Sequence, residues 1–154
     1  MELAELLTPG AIRVCNGVKS KKRLFQDLAE IAAAAHGIDE AAAIDALQER
    51  ESLGPTGVGH GVALPHARID GISEVAGLFM RLEKPMDFGA VDRLPVDLVF
   101  ALLAPRSAGV DHLKALALVS RTLRDNAVCA KLRANTEPAP LHAILIEARP
   151  SQAA

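Results

Sequence analysis

The 154-residue chain is half hydrophobic and 23% charged, so it can bury a core as one domain and is too apolar for intrinsic disorder. A formal net charge of −2 argues against the broad basic face that nucleic-acid binding needs, and the lack of Trp and Tyr leaves little for stacking on bases or sugars. The start, Met1-Glu2-Leu3-Ala4-Glu5, lacks the basic and apolar runs of a signal peptide, and the longest strongly apolar stretch, Leu98 to Ala104, is too short to cross a bilayer. These features lead us to expect a soluble cytoplasmic protein with no membrane insertion. Cys15 and Cys129 have no CxxC partner and read as reduced, structural residues.

In chain order, residues 1–18 read as an irregular lead-in with a short strand near Ile12 to Val14. Ser20 can cap a helix from about Lys21 to His36, and Gly37 stops it. Leu24, Leu28, Ile31, Ala32 and Ala35 recur there at helical spacing. The basic cluster Lys19, Lys21, Lys22 and Arg23 reads as a solvated helix start. Asp39 can cap a second helix to about Glu51, with Gly54 beyond its end.

Next comes Gly54-Pro55-Thr56-Gly57-Val58-Gly59-His60-Gly61-Val62-Ala63-Leu64-Pro65-His66. Glycines let backbone approach a ligand closely, and successive free N–H groups can form an anion-binding nest. Pro65 fixes its own φ and holds Leu64 extended, so His66 is expected to project from the end of a short strand beside that loop. A nucleophilic histidine beside an anion cradle points to phosphoryl chemistry. The loop lacks the Gly-Lys-Ser/Thr ending of a P-loop and is no dinucleotide fingerprint, so no nucleotide cofactor is expected.

Val75 to Leu82 and Val96 to Leu103 read as strands; the second is nearly all apolar, as suits a strand covered on both faces. Between them, Lys84-Pro85-Met86-Asp87-Phe88-Gly89 reads as a turn. Asp97 is expected to tie the start of its strand to a neighbour. Gly109-Val110-Asp111 opens a long helix to about Asn126, whose buried face is expected to carry Leu113, Leu116, Ala117, Ser120 and Leu123. Shorter helices near Val128–Ala134 and Leu141–Ala148 complete an α/β fold, a mixed β-sheet between helical layers in a single domain over residues 1–154.

The run from Arg50-Glu51 through the glycines to Pro65-His66 resembles the active-site signature of the type-2 enzyme IIA domains of the phosphoenolpyruvate:sugar phosphotransferase system. The family pattern is roughly Arg-Glu, then Gly-Ser-Thr-Gly-Ile-Gly, then Gly-Ile-Ala-Ile-Pro-His. Two departures are Pro55 in place of the usual serine and Ala67 where glycine is common. Ser20-Lys21-Lys22-Arg23 and the stretch Pro95 to Leu103 extend the resemblance over essentially the whole chain.

The resemblance implies that His66 accepts a phosphoryl group from a small phosphocarrier protein resembling HPr, without a metal. It implies that Arg50 stabilises that group and that His112, in Asp111-His112-Leu113, orients or stabilises it. Taken alone, Arg50 also reads as a cation at a helix C-terminus, and His112 as a surface histidine at a helix start. Thr56, Gly57, Gly59 and Gly61 would form the phosphate-binding loop, although Thr56 reads equally as a turn-shaping residue. His60, His66 and His112 have poor spacing for a zinc site, and His60 reads as an exposed loop residue.

No attached IIB or IIC segment is expected in a chain of this length, and its length and Ser20-to-Arg23 segment are most like the nitrogen-regulatory branch. That branch implies regulated target proteins such as potassium transport regulators or sensor kinases. A sugar-specific IIA passing phosphate to a IIB domain, and a regulatory binding module without turnover, are the alternatives.

Overall fold

The computed structural model describes residues 1–148; residues 149–154, which the single-domain expectation includes, lie outside the described residues. The chain runs through α1 (Leu3–Leu6), a 3-10 turn (Pro9–Ala11), β1 (Ile12–Cys15), α2 (Lys21–His36), α3 (Glu40–Ser52), β2 (Gly57–Gly59), β3 (Val62–Ala63), β4 (His66–Ile69), β5 (Ala76–Met86), β6 (Val96–Pro105), α4 (Val110–Arg124), α5 (Asn126–Arg133) and α6 (Pro138–Glu147). Local chemistry sets the first long helices. Ser20 Oγ accepts from the Arg23 amide at 3.1 Å, and Gly37 ends α2 at φ 67°, where a side chain would be strained. Asp39 accepts from the Ala42 amide at 2.9 Å to start α3.

The six strands form one mixed sheet in the order β1-β5-β6-β3-β2, with β4 also pairing β6. β1 runs parallel to β5, and β5 antiparallel to β6. β3 and β4 lie end to end along β6, parallel to it, at Leu98–Val99 and Leu102–Pro105. Pro65, which has no N–H to give the ladder, separates them. α2 and α3 pack together on one side of the sheet, and α4, α5 and α6 pack in series on the other. Every β6 residue except Asp97 is buried, as its apolar run predicts.

The structure corrects four expectations. The lead-in contains α1, which at four residues shows no periodicity a sequence could reveal. β5 continues through Lys84-Pro85 to Met86, which pairs with Val96 after a register shift, so the turn starts only at Asp87. Pro85 is exposed at that irregularity and costs no ladder bond. α4 stops at Arg124, because Asp125 leaves helical geometry and accepts from the Ala127 amide to cap α5. The buried face of α4 carries His112, Ala115, Val119, Thr122 and Leu123; of the expected stripe only Leu123 is buried, and Leu113 is 64% exposed. The helix is thus rotated about its axis relative to the expected stripe, and His112 lies inside the protein.

Asp97 makes the expected ion pair. The Arg133 guanidinium donates to both of its carboxylate oxygens at 2.9 to 3.1 Å and, through Nη2, to the His60 carbonyl at 2.8 Å. The pair ties the start of β6 and the end of α5 to the tip of the β2–β3 hairpin. Cys15 and Cys129 are free thiols, and burial raises the pKa of both.

Candidate active site

An open cleft of about 540 Å³ lies where the end of α3, strand β4 and the start of α4 meet. His66, Arg68, Arg50, Arg106 and His112 line it together with Ala42, Ala46 and Leu53. Three of the predicted site residues, His66, His112 and Arg50, are thus brought together from positions far apart in sequence. His66 follows Pro65 as the first residue of β4, rather than ending the strand before it. Arg68 comes two residues later, on the same face of the strand, because side chains alternate along β4.

Hydrogen bonds fix the protons on the two imidazoles. His66 Nδ1 lies 2.8 Å from the Leu64 carbonyl. A carbonyl only accepts, so Nδ1 carries the proton and Nε2 keeps its lone pair. Arg68 Nε lies 3.2 Å from His112 Nδ1. A guanidinium only donates, so Nδ1 of His112 is the acceptor and the neutral ring carries its proton on Nε2. The rings meet edge to face with centroids 5.8 Å apart. His112 is 7% exposed, and its buried Nε2 has no hydrogen-bond partner among the described residues. Burial, and then the charges of His66 and Arg68, hold its pKa below the ordinary histidine value, which keeps the ring neutral.

Arg50 is half-buried in the last turn of α3. Its Nη1 donates to the Gly54 carbonyl at 3.0 Å, which leaves further donors of the planar fork for a ligand in the cleft. Next to it, Glu51 turns away from the cleft. Its carboxylate accepts from the Thr56 amide at 3.0 Å, the Thr56 hydroxyl at 2.7 Å and Lys21 Nζ at 2.9 Å. Lys21 also sits 4.4 Å above the centre of the buried Phe88 ring. This network fixes the chain just after Arg50.

The glycine loop lies apart from the lining of this cleft. Thr56 is buried and gives both its amide and its hydroxyl to Glu51, and none of Gly57, Gly59 and Gly61 lines the cleft. These glycines make a hairpin. A Cβ on Gly57 would meet Ala90 Cβ at 2.8 Å, and one on Gly61, at φ +80°, would meet Arg133 Nη2 at 2.5 Å and Asp97 Oδ1 at 2.9 Å. The amide of His60 at the tip is taken by Asp92 Oδ2 at 2.8 Å. Close packing favours small residues here. His60 lies at this tip and does not share the cleft with His66 and His112.

Sequence reasoning did not single out Arg68 or Arg106 and gave Glu51, though part of the signature, no role. The period-two spacing of His66 and Arg68 could have identified the first. The partners of Glu51 depend on how α2, α3 and the loop pack, which spacing does not reveal. Arg106 pairs with Asp70 at 2.9 Å on the rim, where both are exposed and the pair contributes little.

Residues 5–148 match the family model described as phosphoenolpyruvate-dependent sugar phosphotransferase system, EIIA 2. The chain is 46% identical over 145 residues to a nitrogen regulatory protein of Bradyrhizobium diazoefficiens, covering 94% of this chain and 95% of that one. It superposes on the crystal structure of the nitrogen regulatory protein IIA-Ntr of Neisseria meningitidis with a TM-score of 0.86 at 34% identity, over 93% of this chain and 98% of that one. The mannitol IIA of Escherichia coli, at 20% identity, shares the fold with a TM-score of 0.76 over 90% of this chain and 98% of that one. No helix among the described residues is long and apolar enough to cross a membrane.

Proposed function

The chain belongs to the type-2 enzyme IIA family of the phosphotransferase system, and on that premise we propose that it is a phosphohistidine carrier of the nitrogen-regulatory branch, with His66 Nε2 as the acceptor. The observation that carries this reading is the bond from His66 Nδ1 to the Leu64 carbonyl, which holds the ring in one tautomer with its nucleophilic nitrogen unprotonated at the edge of an open cleft. A phosphorylated histidine of a carrier resembling HPr docks in line with Nε2. The new phosphorus–nitrogen bond forms as the donor's breaks, the bonding pair returns to the donor ring, and the Nδ1 proton stays in its hydrogen bond to the Leu64 carbonyl. Such transfer depends on positioning and charge stabilisation, so metal-free donors suffice.

Arg50 offers guanidinium donors to the phosphoryl oxygens, and His112 offers its buried Nε2–H. A buried donor left unpaired costs about 1–3 kcal/mol, which a phosphoryl oxygen arriving in the cleft would recover. Exposed Leu53 at the cleft, with Val110 and Leu113 flanking His112 in sequence, gives a partner apolar surface to cover.

The similarity to nitrogen regulatory proteins along nearly the whole chain favours a regulatory output over sugar uptake. Phosphorylation adds charge at the mouth of the cleft and so alters which target proteins this face accepts. The test is to load the protein with labelled phosphate and add purified fructose- or mannitol-type IIB domains. Retention of the label supports the regulatory branch, whereas rapid transfer supports a sugar-specific IIA.

A further inference from the structure

Within the cleft, Arg68 is the residue that bonds directly to His112. It places Nε 3.2 Å from His112 Nδ1 and Nη1 3.2 Å from the Arg106 carbonyl. The two bonds orient the guanidinium plane, so a fixed N–H points at Nδ1. At the other end of the ring, Nε2 is buried and unpartnered among the described residues, so nothing there chooses the tautomer. The choice falls to Arg68. A proton on Nδ1 would meet the guanidinium donor head on and would leave Nε2 with a lone pair, which repels an anionic oxygen, in place of a proton, which binds one.

We propose that Arg68 is a positioning residue that holds His112 as its Nε2–H tautomer, keeping a donor presented to the group transferred at His66. The inference rests on the reading of His66 as phosphoryl acceptor for its functional consequence, but not for its structural one. Ammonium in place of guanidinium would not reproduce it, because one lysine nitrogen cannot reach both His112 Nδ1 and the Arg106 carbonyl in the same fixed plane. Arg68 thereby extends the site by a residue that touches the helper histidine rather than the reacting atoms.

The experiment uses the full chain without any carrier. Long-range proton–nitrogen spectra of the imidazoles report the tautomer of His112 in the wild type and in Arg68→Met, which keeps a long stem and removes every donor. The wild type is expected to show Nε2–H alone, and Arg68→Met a mixture of both tautomers. Transfer rates from the phosphocarrier are then compared in four chains: wild type, Arg68→Met, His112→Gln and the double variant. With His112 present, Arg68→Met should slow transfer about tenfold, on the scale of one net hydrogen bond. In the His112→Gln background it should have little effect, because an amide side chain has no tautomers to choose between.

An unchanged His112 tautomer in Arg68→Met would overturn the proposal. So would an equal loss in both backgrounds, because Arg68 would then act on the phosphoryl group directly. If the tautomer shifts as expected but no chain accepts phosphate, the positioning role of Arg68 stands and the carrier function fails. If transfer proceeds but the tautomer ignores Arg68, the reverse holds.

Discussion

His66 and His112 face each other across 5.8 Å in opposite tautomers, the first protonated on Nδ1 by its bond to the Leu64 carbonyl and the second on Nε2 by its bond from Arg68. One ring therefore carries a free lone pair on Nε2 and the other a proton there. Each assignment is fixed by a neighbour that can only accept or only donate.

Arg50 is the donor whose loss should hurt transfer most. Arg50→Met removes the fork and is expected to lower the rate of phosphoryl transfer about 10²-fold, as loss of a preorganised donor does elsewhere. Arg50→Lys, which keeps charge without the planar fork, should fall between the two. Rapid-quench transfer assays measure this, and a wild-type rate in Arg50→Met would contradict the assignment. Thermal melting of the same variants controls for loss of the bond to the Gly54 carbonyl.

The depressed pKa of His112 makes a signed prediction for stability. Between its folded value and the unfolded value of about 6.5, the unfolded chain binds a proton that the folded chain refuses. Stability therefore falls as pH drops below about 6.5 and levels off below the folded value; above about 6.5 the group contributes no slope. The charged groups that act on the ring are His66 and Arg68 on β4, and Arg50, Arg106, Asp45, Glu49 and Asp70 line the same cleft. Urea midpoints measured against pH should show a shallower acid-side decline in His112→Gln. An identical decline would mean that another group causes it.

Gly61 tests whether the glycine loop serves packing or anion binding. Gly61→Ala places a methyl group against the Asp97–Arg133 pair at a φ of +80°. It should cost about 2 kcal/mol or more, through backbone strain and disruption of the pair. Because the hairpin tip is outside the cleft, the folded fraction should still accept phosphate at close to the wild-type rate. Wild-type stability with abolished transfer would restore the loop as an anion cradle.

Features set by neighbours in sequence were legible. Ser20, Gly37 and Asp39 bound their helices as written, because capping is a contact between residues close in the chain. The apolar run of β6 announced a strand covered on both faces. His66, His112 and Arg50 were legible through the family pattern, and the fold brings them into one cleft.

Features set by packing were not. The α4 sequence is apolar enough on several sides that periodicity admits two stripes, and only docking against the sheet selects the one that buries His112. An anion nest and a close-packed hairpin ask for the same residue, so the glycine run alone does not choose between them. The choice between them depends on Ala90, Asp92, Asp97 and Arg133, distant partners that the local sequence does not name. The spacing of Arg68 from His66 was legible, but its bond to His112, 44 residues away, was not.

The most direct measurement is intact mass of the protein after mixing with phosphoenolpyruvate, enzyme I and its phosphocarrier, with His66→Ala beside it. The expected result is one acid-labile, base-stable phosphate on the wild type, attached to Nε2 of His66, and none on the variant. A wild-type chain that stays unmodified with every carrier, or a phosphate that persists in His66→Ala, would contradict the assignment of His66 as the phosphoryl acceptor.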